Sequence, residues 1–174
     1  MGERTQPASA SCLRVGLIGH REAFDAATVT EIRAQAQSYF ARWSTEYATI
    51  EAYTLLATGA DTILTEVALA YGAHLIAVVP FADYETDFTG DERERYQALL
   101  QRAHAVQGMP AVERSNDAYF NASKWIIDQV DVILAVWDGE RARDLGGTGD
   151  VVAYAHDRGL RLSLIHISEP TRQA

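Results

Sequence analysis

The sequence predicts an α/β domain with a mostly parallel, doubly wound sheet in three α/β/α layers. Three observations predict it. Short, almost wholly apolar runs recur along the chain, and such runs fit strands buried on both faces. Between them lie segments whose apolar residues repeat at helical spacing. The two kinds alternate, which makes successive strands parallel and packs helices on both sides. Right-handed crossovers then wind the sheet in both directions.

Leu13 to Ile18, closed by Gly19, reads as the first strand. Thr28 and Glu31 form a capping box ahead of Val29, Ile32, Ala36, Phe40 and Trp43 on one helix face. Tyr53 to Ala57 is the expected second strand, and Asp61 is placed to cap the next helix, whose apolar face is Ile63, Leu64, Val67, Ala68 and Tyr71. Leu75 to Val79 is the third strand, stopped by Pro80. Asp91 opens a helix with Tyr96, Leu99, Ala103 and Val106 on one face, and a weak strand is expected near Ala111 to Glu113. Asp117 to Gln129 is a helix, Asp131 to Trp137 a strong strand, and Thr148 to Asp157 the last helix, ended by Gly159. With no repeat or linker, residues 12–161 are expected to form one domain after a polar tail, 1–11.

Composition narrows the function. The 174 residues are 48% hydrophobic and 22% charged, with one cysteine, Cys12, and no apolar run near the roughly 20 residues that span a bilayer. A cytoplasmic protein without membrane contact is expected. The net charge of −9 makes nucleic acid an unfavoured partner, because such binding relies on Lys and Arg neutralising phosphates. Five histidines without ligand spacing predict no metal site, and no resident cofactor is assigned.

Ligands of open parallel sheets bind at the carboxyl ends of the strands, and four such ends carry polar or Gly-rich motifs. Gly19-His20-Arg21 combines a residue that allows close backbone approach with two donors for an anion. Thr58-Gly59-Ala60-Asp61 places a turn at a helix N-terminus, where free N–H groups and the helix dipole favour phosphate. Asp61 either caps that helix or accepts from a ribose hydroxyl. Pro80-Phe81 with Tyr84 and Asp87 offers rings that stack on a base or anchor the loop. Trp137-Asp138-Gly139, followed by Gly146-Gly147-Thr148-Gly149-Asp150, is a Gly-rich loop opening a helix, suited to cradle phosphate with backbone amides and the Thr148 hydroxyl.

Together these motifs resemble the SLOG superfamily, a Rossmann-like group with DprA-type, Lonely Guy-type and TRPM-associated domains. The resemblance covers about residues 13–161. It implies a phosphate-bearing, nucleotide-type ligand, NAD- or ADP-ribose-like or a nucleoside monophosphate, in a sensor module. The ligand residues it implies are Gly19, His20, Arg21, Thr58, Gly59, Asp61, Pro80, Phe81, Trp137, Asp138, Gly139, Gly146, Gly147 and Thr148. The Lonely Guy phosphoribohydrolases carry Pro before their glycines and Glu after their Thr, where this chain has Leu145 and Asp150. A second similarity, to nucleoside deoxyribosyltransferases, rests on the six-residue spacing of Asp144 and Asp150. It implies Asp150 as the nucleophile of N-glycosidic cleavage or transfer. Single-stranded nucleic-acid binding is the third alternative. A homo-oligomer and a lost effector domain stay open as partners. Finally, Leu162 to Arg172 resembles a translated sequencing adapter, which implies a chimeric tail over 162–174; the same segment alternates like a last strand.

Overall fold

In the computed structural model, residues 11–21, 23–138 and 147–167 are described. They form β1 (Cys12–Gly19), α1 (Ala26–Glu46), β2 (Thr49–Thr54), α2 (Ala60–Ala70), β3 (His74–Val79), a 3-10 turn (Tyr84–Asp87), α3 (Gly90–Gln101), β4 (Ala105–Gly108), α4 (Asn116–Gln129), β5 (Val132–Trp137), α5 (Thr148–Asp157) and β6 (Arg161–His166). The tail 1–10, the loop residues Gly139, Asp144 and Gly146, and residues 168–174 lie outside the described residues.

The strands make one sheet in the order β4-β3-β2-β1-β5-β6, and every pairing is parallel. The chain winds outward from β1 to β4, returns across the sheet to β5, and ends at β6. This is the doubly wound, three-layer α/β/α architecture expected. Its direction reverses between β1 and β5, where Gly19 pairs with Val136. Helices α1 and α2 build one core cluster, through Ile32, Phe40, Trp43 and Leu64. Helices α4 and α5 build the other, joined by Tyr96 and Leu99 of α3. Val15 on β1 and Ile133 and Leu134 on β5 are wholly buried, as central strands covered on both faces require.

Several boundaries differ from expectation. The α1 cap is Asp25, whose carboxylate accepts from the Thr28 N–H, so Thr28 lies inside the helix. The second strand starts at Thr49 and ends at Thr54. Its mixed start, Thr49-Ile50-Glu51, hid it, and Leu56 ends it by adopting a positive φ of 54°. The fourth strand lies at Ala105–Gly108, not near Ala111. All of its residues are exposed, so it carries no hydrophobic pattern, and Val106 is not on the α3 face. Residues 162–166 belong to β6. They pair in register with β5 from Ile133↔Leu162 to Trp137↔His166, and Ile165 is fully buried.

Candidate ligand-binding rim at the β1–β5 reversal

Because all strands are parallel, the turns that follow them emerge at one edge of the sheet. Gly19 ends β1 there. A Cβ at this position would sit 2.3 Å from the Ala60 Cβ and 3.1 Å from the Val136 Cβ. The close approach that Gly19 permits is therefore made by α2, packed against the end of β1. The His20 carbonyl accepts from the Ala60 N–H at 3.1 Å, which takes up one of the amides at the start of α2. The His20 imidazole faces Asp138 across the reversal, with Nε2 3.4 Å from the Asp138 Oδ1. The two are not aligned for a hydrogen bond, so Nε2 is a buried polar atom without one, an uncommon condition in folded proteins. Arg21 is exposed and lays its guanidinium 3.8 Å from the centre of the Tyr119 ring, within cation–π range.

Asp61 departs from the expected cap. Gly59 holds the N-cap position, with φ 93° and no side-chain bond, while Asp61 lies in the first turn and is 5% exposed. Its Oδ2 accepts from the Ala57 N–H at 3.2 Å, so the carboxyl folds back under the β2–α2 turn. Burial pushes its pKa up to about 7, against the Ala57 hydrogen bond, the Arg21 charge and the Thr54 hydroxyl, which pull it down. The same turn holds Leu56 at positive φ, a strained conformation for a branched side chain. The Thr54 hydroxyl steadies it by accepting from the Leu56 N–H at 3.0 Å. Close by, the Tyr84 hydroxyl is buried without a hydrogen bond. Burial and the neighbouring Asp61 raise its pKa well above the ordinary value.

Pro80 and Phe81 anchor rather than present. Both are buried, and the Phe81 ring packs edge-on against Tyr84 and Tyr119 at 5.4 Å each. Tyr84 extends this cluster to Phe88 and Tyr96, so neither Phe81 nor Tyr84 offers a stacking face at the surface. On the other side of the reversal, Trp137 and Asp138 are partly buried. Gly147 caps α5 without a side-chain bond, and its carbonyl accepts from the Asp150 and Val151 N–H groups. Thr148 is buried at the first position of α5, and Asp150 is half-buried in the same turn.

The fold thus brings Gly19, His20, Arg21, Gly59, Asp138, Gly147 and Thr148 to one edge around the β1–β5 reversal. Thr58 turns away from it and donates to Glu92 Oε2 at 3.4 Å, beside a cleft between α2 and α3. Gly139, Gly146 and Asp144 are outside the described residues. Sequence reasoning missed Thr54, Tyr119 and Glu92. Glu92 had a partial signal, since it stands four residues before Tyr96 in α3. Tyr119 had none, because it meets Arg21 from nearly a hundred positions further along the chain. Among the described residues, no group of three or more His, Cys, Asp or Glu could hold a metal. No described helix is long and apolar enough to cross a membrane.

These features define a Rossmann-like α/β domain with its rim at the reversal of strand order. Comparison with solved structures agrees. DNA processing protein A (DprA) from Streptococcus pneumoniae superposes with a TM-score of 0.67 at 19% identity, over 91% of this chain and 52% of that one. The Helicobacter pylori DprA, whose structure addresses its single-stranded DNA binding mode, gives 0.62 at 15% identity, over 90% and 66%. The molybdenum cofactor binding protein from Rippkaea orientalis gives 0.55 at 14%, over 92% and 80%. The match spans about half the length of the pneumococcal protein. No protein-family model and no curated protein matches the chain. At these identities the likeness shows the fold.

Proposed function

We propose that this domain binds a phosphate-bearing, nucleotide-type ligand in the crevice between the ends of β1 and β5, as a sensor module. The observation that carries the reading is the His20–Asp138 pair: a buried imidazole nitrogen without a hydrogen bond, 3.4 Å from a carboxylate, at the point where strand order reverses. Ligands of open α/β sheets bind at such a crevice. Arg21 supplies a positive charge at its mouth, and the first turn of α5 supplies N–H groups and the positive end of the helix dipole. Titration calorimetry with AMP, ADP-ribose and NAD tests it. At least one should bind, and His20→Ala should weaken that binding. Absence of heat with all three, on folded protein, sinks the reading.

N-glycosidic cleavage with Asp150 as nucleophile would extend this reading, and release of free base, abolished in Asp150→Asn, would establish it. A second reading, single-stranded nucleic acid, is favoured by one observation. Arg21 and Arg114 flank the same Tyr119 ring at 3.8 and 5.9 Å, a basic pair beside an aromatic. Arg114 is already paired with Asp87 at 3.1 Å, and the chain carries a net charge of −9, so this reading ranks second. A salt-dependent gel shift with an oligonucleotide would raise it.

A further inference from the structure

The cleft between α2 and α3 lies on the other side of the α2 turn from His20. It measures about 100 Å³, with Leu56, Thr58, Gly59 and Thr62 on one wall and Phe88, Asp91, Glu92, Arg95 and Tyr96 on the other. That is the room of roughly three waters, well under the roughly 300 Å³ at which whole small-molecule sites begin. It fits one arm of a ligand whose remainder lies elsewhere. Gly59 joins the two places: it lines the cleft, and the helix it opens begins with the amide bonded to the His20 carbonyl.

The chemistry of the wall is specific. The Phe88 and Tyr96 rings are stacked on each other, 4.4 Å apart and 11° from parallel, and supply the aromatic part of the lining. The Asp91 and Glu92 carboxylates accept hydrogen bonds, while the Arg95 fork donates. Charges elsewhere around α3 neutralise one another, as Arg93 does with Glu85 and Arg114 with Asp87. Among the described residues, Asp91, Glu92 and Arg95 have no ion pair, and Glu92 is held over the cleft only by the Thr58 hydroxyl. The floor is the strained Leu56 turn, and strain of this kind collects at ligand sites.

We propose that this cleft is the base subsite of the nucleotide site, built for a nucleobase that carries an exocyclic amine beside a ring acceptor. The inference rests on the binding reading above and deepens it. An amino group donates to Glu92 or Asp91, and the neighbouring ring nitrogen accepts from Arg95. Uracil has no exocyclic amine; its one base-edge donor to a carboxylate is the ring N3–H, which lies between two carbonyl oxygens that a carboxylate repels.

Calorimetry on the full chain with AMP, UMP and ribose 5-phosphate tests it. AMP is expected to bind about tenfold more tightly than UMP and ribose 5-phosphate. Glu92→Gln, an exposed position whose change leaves the core untouched, is expected to remove most of that preference. Arg95→Ala, also exposed, gives an independent check by the same measurement. Equal binding of all three probes, or an AMP preference untouched in both variants, overturns the base subsite while the phosphate reading stands. Failure of AMP to bind removes the base subsite, and failure of ADP-ribose and NAD as well removes the binding reading with it.

Discussion

Two helices open at the rim of this sheet on glycine caps, and their surroundings differ. The start of α2 is closed. Ala60 packs into the space left by Gly19, its amide is bonded to the His20 carbonyl, and Asp61 is folded beneath the turn. The start of α5 follows Gly147 directly, with Thr148 first and Asp150 in the same turn. A glycine before a helix is thus compatible with two roles, a packing joint and an anion cradle. What separates them is the neighbouring strand. The end of β1 sits against Ala60 of α2, whereas α5 belongs to the core cluster on the opposite side of the sheet.

This contrast can be broken by substitution, and the effects should fall in order. Gly19→Ala should be the most damaging, because a methyl 2.3 Å from the Ala60 Cβ must push α2 off β1. Overpacking of this kind costs about 3 kcal/mol, read as a fall in the midpoint of denaturant unfolding. An unchanged midpoint would mean that α2 is not locked to β1.

Next comes the pH dependence set by Asp61. Its folded pKa, about 7, lies above the ordinary 3.8, so between those values the folded protein holds a proton that the unfolded chain releases. Stability from this group is complete below the lower value and is lost as pH rises through the upper one. Between pH 5 and pH 8 the loss should be roughly 2.5 kcal/mol. Asp61→Asn should flatten that slope, measured by unfolding at both pH values. A slope that persists would place its origin elsewhere.

At α5 the readout is ligand, not stability. Thr148→Val, close in shape but without the hydroxyl, should weaken binding of a phosphate-bearing probe about tenfold, roughly 1.4 kcal/mol. The same loss from Thr65→Val, on α2 and outside the cleft lining, would erase the distinction between the helices. The smallest effect belongs to Tyr84→Phe. Removing a buried hydroxyl that has no hydrogen bond should leave stability unchanged or raise it by up to about 1 kcal/mol. A marked loss would show that the hydroxyl has a partner.

Much of this architecture was legible in the residues. Leu13 to Ile18 and Asp131 to Trp137 read as buried strands because both faces are covered and hydrophobicity is continuous. The α1 stripe of Val29, Ile32, Ala36, Phe40 and Trp43 read as a helix face; the last four are buried and Val29 partly so. The four strand-end motifs were legible as motifs, since glycines and polar residues interrupt apolar runs at fixed places. The fourth strand was not legible, because an exposed edge such as Ala105–Gly108 needs no apolar pattern and is held by backbone bonds to β3.

The sequence by itself therefore determined the class of fold and the edge on which the four strand-end motifs lie, because periodicity and chain order are local properties. Only the tertiary structure decided what each motif does there. It made Gly19 a packing contact, turned Asp61 inward, buried Phe81 and set His20 against Asp138. Asp61 bonds locally, to Ala57, but Gly19 meets Ala60, Phe81 meets Tyr119 and His20 meets Asp138 across more than 35 positions, and no local pattern encodes such a meeting.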